Sequence, residues 1–192
     1  IKTHNRDGWV TNEIKTGRGP EVDEKLDSVD EVSSRLTLVW EPSDQFDATF
    51  RATIGRRDGD HVPLHFEPLE EPNPNSFVRP GDFREDPDID VVSQDRPQPE
   101  TVDYNNVSLH MNWETELGLF TSITGYVDTL YNQDADVDAT PRDGLFGPFE
   151  SNSRQWTQEL RYAFDLNEDA SGIVGAFYFT EDMDAFTWFL TG

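Results

Sequence analysis

The clearest pattern in the chain runs over ten residues, Val32-Ser33-Ser34-Arg35-Leu36-Thr37-Leu38-Val39-Trp40-Glu41. Side chains at even positions are mostly apolar, and those at odd positions are mostly polar. A period of two is typical of a β-strand with one face against an apolar phase and the other against water. Pro42-Ser43-Asp44-Gln45 follows, and these residue types favour a turn. This segment therefore predicts a two-faced strand that ends in a tight turn.

Similar alternation returns in later segments of about ten residues, the length of a tilted membrane-spanning strand. We expect strands over 46–57, 104–114, 119–131, 153–164 and 172–181, and the end of an earlier strand within 1–12. The strand over 119–131 alternates less clearly, with Leu119, Thr121, Ile123 and Val127 on one face. The strand over 172–181 is apolar on both faces, so its orientation stays open.

Long polar segments alternate with short turns along the chain. We predict long loops at about 13–31, 58–103 and 132–152. Outer-membrane barrels have this asymmetry, with short periplasmic turns and longer extracellular loops. The pattern therefore predicts an all-β fold, an antiparallel up-and-down transmembrane β-barrel of which this chain supplies a part.

Composition narrows the class of protein further. Only 34% of the 192 residues are hydrophobic while 12% are aromatic, which suits a barrel wall with one lipid-facing side and aromatic girdles. A formal charge of −24 argues against nucleic acid as a partner, because phosphates require a basic surface. The chain has no cysteine, no long apolar run and no signal peptide. The start lacks Met and the end falls in an apolar run, so we expect a fragment of a longer protein.

Candidate functional residues follow from the two faces. Polar positions on the alternating strands are expected to line a wet lumen; they are Arg35, Arg51, His110, Glu114, Glu159 and Arg161. Aromatic residues beside the short turns are expected at the membrane interface, where amphipathic rings are favoured; they are Trp40, Phe46 and Trp113. Alternatively, Glu159 and Arg161 form an ion pair with each other within the wall.

Two groups of residues raise the question of a metal. Asp134, Asp136 and Asp138 alternate in one loop, and carboxylates of this kind can converge on calcium. The loop lacks the glycine and the terminal glutamate of an EF-hand, so a solvated acidic loop is the alternative. His61, His65 and His110 have no spacing typical of a compact metal site. No nucleophile motif, phosphate loop or cofactor motif is present, and we expect neither an enzyme nor a cofactor.

Several strings resemble the barrels of TonB-dependent outer-membrane receptors. They are Arg6-Asp7-Gly8-Trp9-Val10-Thr11-Asn12, the hairpin Arg35 to Asp44, Ser122-Ile123-Thr124-Gly125-Tyr126, Gln158-Glu159-Leu160-Arg161, and Val174-Gly175-Ala176-Phe177-Tyr178-Phe179. Their order and their strand-like positions match the family. The resemblance implies a barrel of about 22 strands around an N-terminal plug, of which this chain holds about six or seven strands. The plug, the TonB box and the closing C-terminal strand are expected to lie outside it.

The resemblance also implies a function and partners. These receptors take up scarce, bulky nutrients across the outer membrane of Gram-negative bacteria, such as ferric siderophores, haem, cobalamin or oligosaccharides. Expected partners are the TonB–ExbB–ExbD complex, outer-membrane lipid with lipopolysaccharide, and a small-molecule or metal-chelate substrate. Two alternatives stay open, a passive porin-type channel and a soluble β-sandwich binding module. The sequence leaves the substrate and the oligomeric state undetermined.

Overall fold

The chain forms strands wherever apolar and polar residues alternate. The computed structural model describes residues 1–13, 25–60, 63–64, 90–141, 144–167 and 170–191. The strands of these residues, in chain order, are β1 (Lys2–Arg6), β2 (Val10–Asn12), β3 (Lys25–Leu26), β4 (Val29–Ser43), β5 (Phe46–Asp60), β6 (Val91–Val92), β7 (Pro99–Thr115), β8 (Gly118–Gln133), β9 (Leu145–Phe146), β10 (Phe149–Asn167), β11 (Ala170–Thr187) and β12 (Leu190–Thr191).

Seven of these strands form one antiparallel sheet in the order β1-β4-β5-β7-β8-β10-β11. The six long strands therefore follow one another as an up-and-down meander, which confirms the all-β, antiparallel prediction. β1 pairs with the start of β4, as expected for the end of an earlier strand. Short turns at Asp44–Gln45 and Glu116–Leu117 lie at one end of the sheet, and the longer connections lie at the other.

The first hairpin shows how the sequence sets local geometry. β4 and β5 pair in a regular register from Val29 to Trp40, and the register then shifts before Ser43 pairs with Phe46. Pro42 lies within this shift and has no N–H to donate to a ladder. The bulge therefore accommodates the proline at the point where the strand ends.

The predicted loops at 13–31, 58–103 and 132–152 are longer than the connections between strands in the structure. β4 already begins at Val29, β5 continues to Asp60, β7 begins at Pro99, and β10 begins at Phe149. These strand ends are mostly polar, so alternation does not reveal them. The backbone ladder continues regardless, with Arg57 opposite Val102. Parts of these three loops, including all of 14–24 and 65–89, lie outside the described residues.

Register assigns every residue of the sheet to one of two faces, since directly opposite residues point to the same side. One row runs Leu38, Phe50, Leu109, Thr124, Gln158 and Tyr178, and the neighbouring row runs Val39, Thr49, His110, Ile123, Glu159 and Phe177. We call the side with Leu38 and Leu109 the apolar face and the side with His110 and Glu159 the polar face.

The two ambiguous strands are settled by this register. In β11, Val174, Ala176 and Tyr178 lie on the apolar face, and Phe177 and Phe179 lie on the polar face. In β8, Leu119, Thr121, Ile123 and Val127 do share a face, and it is the polar one. The apolar side chains that β8 and β11 place on the polar face therefore depart from the pattern of the other strands.

The sheet is a single layer within the described part of the chain. No described strand crosses either face, and large apolar side chains stay open, with Leu36 52%, Trp40 63% and Trp113 54% exposed. The fully buried residues lie instead among the connections at the long-loop end. There β2 pairs with β3 and β6 in a small sheet, and Val10, Leu26 and Val92 form its apolar centre.

None of the described segments is a helix with the length and apolarity needed to cross a membrane.

Candidate functional site

The apolar face carries a band of mostly apolar side chains next to the short turns. On β5 the band runs from Phe46 to Ile54, eight residue steps, and Arg56 follows on the same face. At about 3.3 Å per residue this is about 26 Å along the strand, and a barrel tilt of about 40° reduces it to about 20 Å. The apolar band of outer-membrane barrels is about 25 Å tall. The height of the band is therefore close to that of the apolar band of such barrels.

The three predicted interface aromatics lie together at the short-turn rim of this band. The rings of Trp40 and Phe46 meet edge to face, with centroids 5.6 Å apart and an interplanar angle of 72°. Phe46 lies directly opposite Trp113. The register extends the row to Phe120 and Tyr162, which the sequence pattern did not single out. The interfacial role of these rings stays a prediction.

The other border of the apolar band is charged. Arg56 contacts Asp58 at 2.8 Å and Asp103 at 3.6 Å, and Arg154 lies 3.8 Å from Asp128. The change from Ile54 to Arg56 takes one row of the sheet. Such an abrupt border is expected where a wall leaves hydrocarbon and enters headgroups and water, because a charge in the bilayer interior is costly.

One polar cluster interrupts the apolar band. Thr124 Oγ1 donates to Gln158 Oε1 at 2.6 Å, and Gln158 Nε2 donates to Ser122 Oγ at 3.0 Å. The same amide nitrogen donates to the carbonyl of Glu159 at 3.2 Å. Side chains that satisfy one another in this way lower the cost of placing polar groups against lipid.

All six predicted lumen residues lie on the polar face by register. Glu159 and Arg161 form an ion pair two residues apart on β10, so the wall-pairing role expected as an alternative is present. Arg35 and Arg51 lie on neighbouring strands, where Arg35 is opposite Thr53 and Arg51 is opposite Thr37. That this face lines a lumen stays a prediction.

A hydrogen-bonded ladder crosses the polar face near the short turns. Asn112 Nδ2 donates to the carboxylate of Asp47 at 3.2 Å, and Thr121 Oγ1 donates to Asn112 Oδ1 at 2.9 Å. Three strands are thereby tied by side chains as well as by backbone. The sequence alone does not single out Asp47, Asn112 or Thr121, since individual polar residues on a polar face carry no distinguishing signal.

Tyr104 ties three strands at the other end of the polar face. Its ring covers Gly55, its partner on β5, and a Cβ at that position would lie 2.3 Å from the ring. Its hydroxyl donates to Glu31 Oε1 on β4 at 3.1 Å. A side chain at position 55 would therefore displace the ring of Tyr104, because the ring occupies that space.

The connections at the long-loop end are held by buried polar groups. Asn12 is fully buried, and its side chain donates to the carbonyl of Gln94 at 2.9 Å and accepts from the N–H of Gln94 at 3.0 Å. Gln98 donates to the side chain of Gln94, which donates to the carbonyl of Leu64 at 3.2 Å. Segments distant in sequence are thus fixed to one another as a cap beside the sheet.

The three aspartates proposed for calcium do not act as one ligand set. Asp136 accepts from the N–H groups of Asp95 at 3.2 Å and Ala139 at 3.0 Å. Asp138 accepts from the N–H and the hydroxyl of Thr140 and from the N–H of Leu145. Within the described residues no group of three or more His, Asp or Glu side chains converges as a metal site. The carboxylates of Asp136 and Asp138 are therefore engaged in holding the loop. His61 and His65 lie outside the described residues.

Asp136 has an unusual protonation equilibrium for an aspartate. Burial raises its pKa to about 7, and the neighbouring charges of Asp138 and Asp95 act in the same direction. The N–H donors of Ala139 and Asp95 oppose the shift. Burial also raises the pKa of Asp134. This part of the cap therefore holds a carboxyl group that titrates near neutral pH.

Comparison with known proteins gives one informative match. No family model and no curated protein matches this chain. A solved structure, the ferric yersiniabactin uptake receptor FyuA from Yersinia pestis, superposes with a TM-score of 0.69 at 14% sequence identity. The match covers 98% of this chain and 26% of the length of that receptor. The fold is therefore similar to a part of a β-barrel receptor, and the chain spans about a quarter of that protein.

Proposed function

We propose that this chain is part of the wall of an outer-membrane receptor of the TonB-dependent type, which takes up a scarce, bulky nutrient without converting it chemically. A ferric siderophore or another iron complex is the proposed cargo, with cobalamin or an oligosaccharide as the other candidates. The observation that carries the proposal is the single-layer sheet with one apolar and one polar face. The structural similarity to an uptake receptor supports it.

The sheet is suited to a wall between lipid and water because one of its faces is apolar and the other is polar. Hydrocarbon offers no hydrogen bonds, so every backbone N–H and C=O of a spanning segment must be paired inside the protein. Inner strands of this sheet meet that requirement through their neighbours on both sides. A soluble sandwich would need a second layer over the apolar face, and the described residues provide none.

Closure of the barrel is part of the proposal. β11 is an edge of the sheet over eighteen residues, Ala170–Thr187, and an open edge of this length would not be stable in lipid. We propose that further strands of the full-length protein pair with it and complete the wall, and that a plug domain fills the interior. TonB–ExbB–ExbD would act on that plug, and the long loops would face lipopolysaccharide outside.

The wall itself would bind the nutrient and guide it through the barrel without breaking covalent bonds. Polar side chains along its inner face offer water-like contacts to a moving solute, while the cap of ordered connections narrows the outer entrance. Energised uptake separates this proposal from a passive porin-type channel, since only the former stops when the proton gradient is collapsed.

A pair of adjacent substitutions on β7 tests the proposal. Leu109 lies in the middle of the apolar face and His110 lies beside it on the polar face. Leu109→Arg in the full-length protein should reduce outer-membrane assembly, because a lipid-facing arginine near the bilayer midplane costs about 2–4 kcal/mol. His110→Arg should leave assembly close to wild type.

Assembly is measured by density-gradient fractionation and by heat-dependent migration in a detergent gel. Uptake of a radioactive ferric chelate, with and without a protonophore, is measured on the same cells. Recovery of the wild type among soluble periplasmic proteins, or equal assembly of the two variants, would contradict the wall. Uptake that continues in the protonophore would point to the passive channel.

A further inference from the structure

Two arginines on the polar face have no acidic partner among the residues that the structure describes. Arg35 Nε donates to Thr53 Oγ1 at 3.1 Å, and Arg51 has no side-chain hydrogen bond or ion pair to any residue in the described part of the chain. Both side chains are exposed. This is unexpected in a chain with 39 acidic and 15 basic residues, where a random neighbour of an arginine is more often an acid than a base.

The other arginines of the same face are paired. Arg6 contacts Asp27 at 2.8 Å, Arg57 contacts Glu100 at 3.3 Å, and Arg161 contacts Glu159. The two exceptions, Arg35 and Arg51, are close neighbours in the sheet. The absence of a partner is therefore local to one place on the polar face of β4 and β5.

The sheet sets the spacing of the two guanidinium groups. Arg35 is opposite Thr53, and Thr37 is opposite Arg51, so the two arginines are diagonal neighbours with Cα atoms about 7–8 Å apart. The hydroxyls of Thr37 and Thr53 lie on the same face between them, and Ser108 is opposite Arg51 on β7. Two cationic forks and a set of hydroxyls thus share one small area.

The nearest acids on this face accept hydrogen bonds from residues other than these two arginines. Glu31 accepts the hydroxyl of Tyr104, and Asp47 accepts the side-chain amide of Asn112. Lys2 on β1 lies opposite Ser33 and adds a third positive charge one row away. A concentration of positive charge on a wall of opposite net charge attracts anions to that place.

We infer that Arg35 and Arg51 form a binding site for a small molecule that carries two or more oxyanion groups, such as carboxylates or phosphates. Guanidinium groups bind such groups bidentately and keep their charge at every physiological pH. Two forks at this spacing can each take one oxyanion of the same molecule. The inference rests on the proposed function, because it requires this face to line the barrel interior where the space between wall and plug admits a solute.

The test is a calorimetric titration of the full-length protein in detergent at low ionic strength. Citrate and inorganic pyrophosphate are the two probes, and comparing them separates carboxylate from phosphate recognition. We expect at least one probe to bind, and Arg35→Gln and Arg51→Gln each to raise its Kd about tenfold or more. The double variant should show no measurable binding.

Arg56→Gln is the matched control. Arg56 is the exposed arginine of the same strand on the opposite face, where it is paired with Asp58 and Asp103, so its loss should change the Kd less than twofold. The inference is overturned if neither probe binds, or if the three single variants weaken binding equally. If neither probe binds and Arg35→Gln and Arg51→Gln also lower thermal stability, an acidic segment of the protein itself occupies the site.

Failure of the proposed function is read separately. Extraction of the wild-type protein is measured before the titration, and a protein that stays soluble without detergent would refute the membrane wall. The titration result would still report on Arg35 and Arg51 in that case.

Discussion

At the scale of single residues, Asp136 connects two segments that are far apart in the sequence. Its carboxylate, 1% exposed, accepts from the N–H of Asp95 at 3.2 Å and from that of Ala139 at 3.0 Å. Two further carboxyl groups, Asp95 and Asp138, lie close enough to repel a negative charge on it. The protonation state of Asp136 therefore affects how firmly these segments of the cap pack.

We predict that the cap opens more readily as pH rises toward 7. The pKa of Asp136 is about 7 in the folded protein, against the ordinary aspartate pKa of 3.8. Between these values the folded state holds a proton that the unfolded state has released, so stability falls with rising pH, by at most about tenfold in the opening equilibrium per pH unit. Above about pH 7 the dependence levels off.

Hydrogen exchange of the segments 90–98 and 134–141 between pH 5 and 8, corrected for intrinsic rates, measures this opening. Asp136→Asn keeps the acceptor oxygen and removes the charge, so its opening equilibrium should be nearly independent of pH over this range. Asp184→Asn, an exposed carboxyl on β11, serves as the control and should behave as wild type. Protection that rises with pH in the wild type would refute the prediction.

Individual positions could be predicted only where a periodic pattern supports them. Arg35, His110 and Glu159 share a face as the alternation requires. Asn12 was not identified, because its partner Gln94 lies 82 positions away and no local pattern distinguishes a buried asparagine from an exposed one. Polar contacts of this kind depend on tertiary structure alone.

At the scale of elements, the hairpin of β8 and β10 is the place where the apolar face departs from its pattern. Ser122, Thr124 and Gln158 lie in rows that are otherwise largely apolar, and their hydrogen bonds close on one another. In lipid such a cluster is tolerated as a complete set, since an unpaired donor or acceptor has no water to bond.

We therefore expect a non-additive response to substitution in this cluster. Gln158→Leu leaves the hydroxyls of Ser122 and Thr124 without their partner and should destabilise the protein by about 1 kcal/mol, the scale of such bonds in membranes. The triple variant Ser122→Ala, Thr124→Val, Gln158→Leu removes all three polar groups and should recover at least wild-type stability.

Urea unfolding of the full-length protein in lipid vesicles, followed by tryptophan fluorescence, gives the three free energies of unfolding. The comparison among wild type, single and triple variant forms its own control, because each differs only at the apolar face. A triple variant less stable than Gln158→Leu alone would mean that these groups meet water rather than lipid.

The orientation of a strand could be predicted only where its two faces differ clearly in polarity. β4 was identified with its faces because Leu36 and Leu38 alternate with Arg35 and Thr37. β11 was located without its orientation, because Phe177 and Phe179 on the polar face are as apolar as the residues between them. Its register with β10 decided the matter, and register depends on long-range pairing that a single segment does not encode.

At the scale of the whole molecule, the chain has two parts that differ in where they place apolar side chains. The sheet exposes apolar groups on one side and polar groups on the other, and the buried core lies in the cap at the long-loop end. The asymmetry of short and long connections predicted the sheet. The small sheet of the cap could not be predicted, because its strands have two or three residues and no period can be read from so few.

The claim on which the account depends is that the apolar face meets lipid and the polar face meets water. The chain contains no cysteine, so a spin label can be attached through a single cysteine placed at each position from 106 to 113 of β7 in turn. The full-length protein in lipid vesicles is then measured by electron paramagnetic resonance, with oxygen as the lipid-soluble relaxant and a neutral nickel chelate as the aqueous one.

We predict that the two accessibilities alternate in opposite phase along β7. Oxygen should reach the labels at Val107, Leu109, Met111 and Trp113, and the nickel chelate should reach those at Asn106, Ser108, His110 and Asn112. Labels at the first set that are shielded from both relaxants, as in the interior of a soluble protein, would contradict the account.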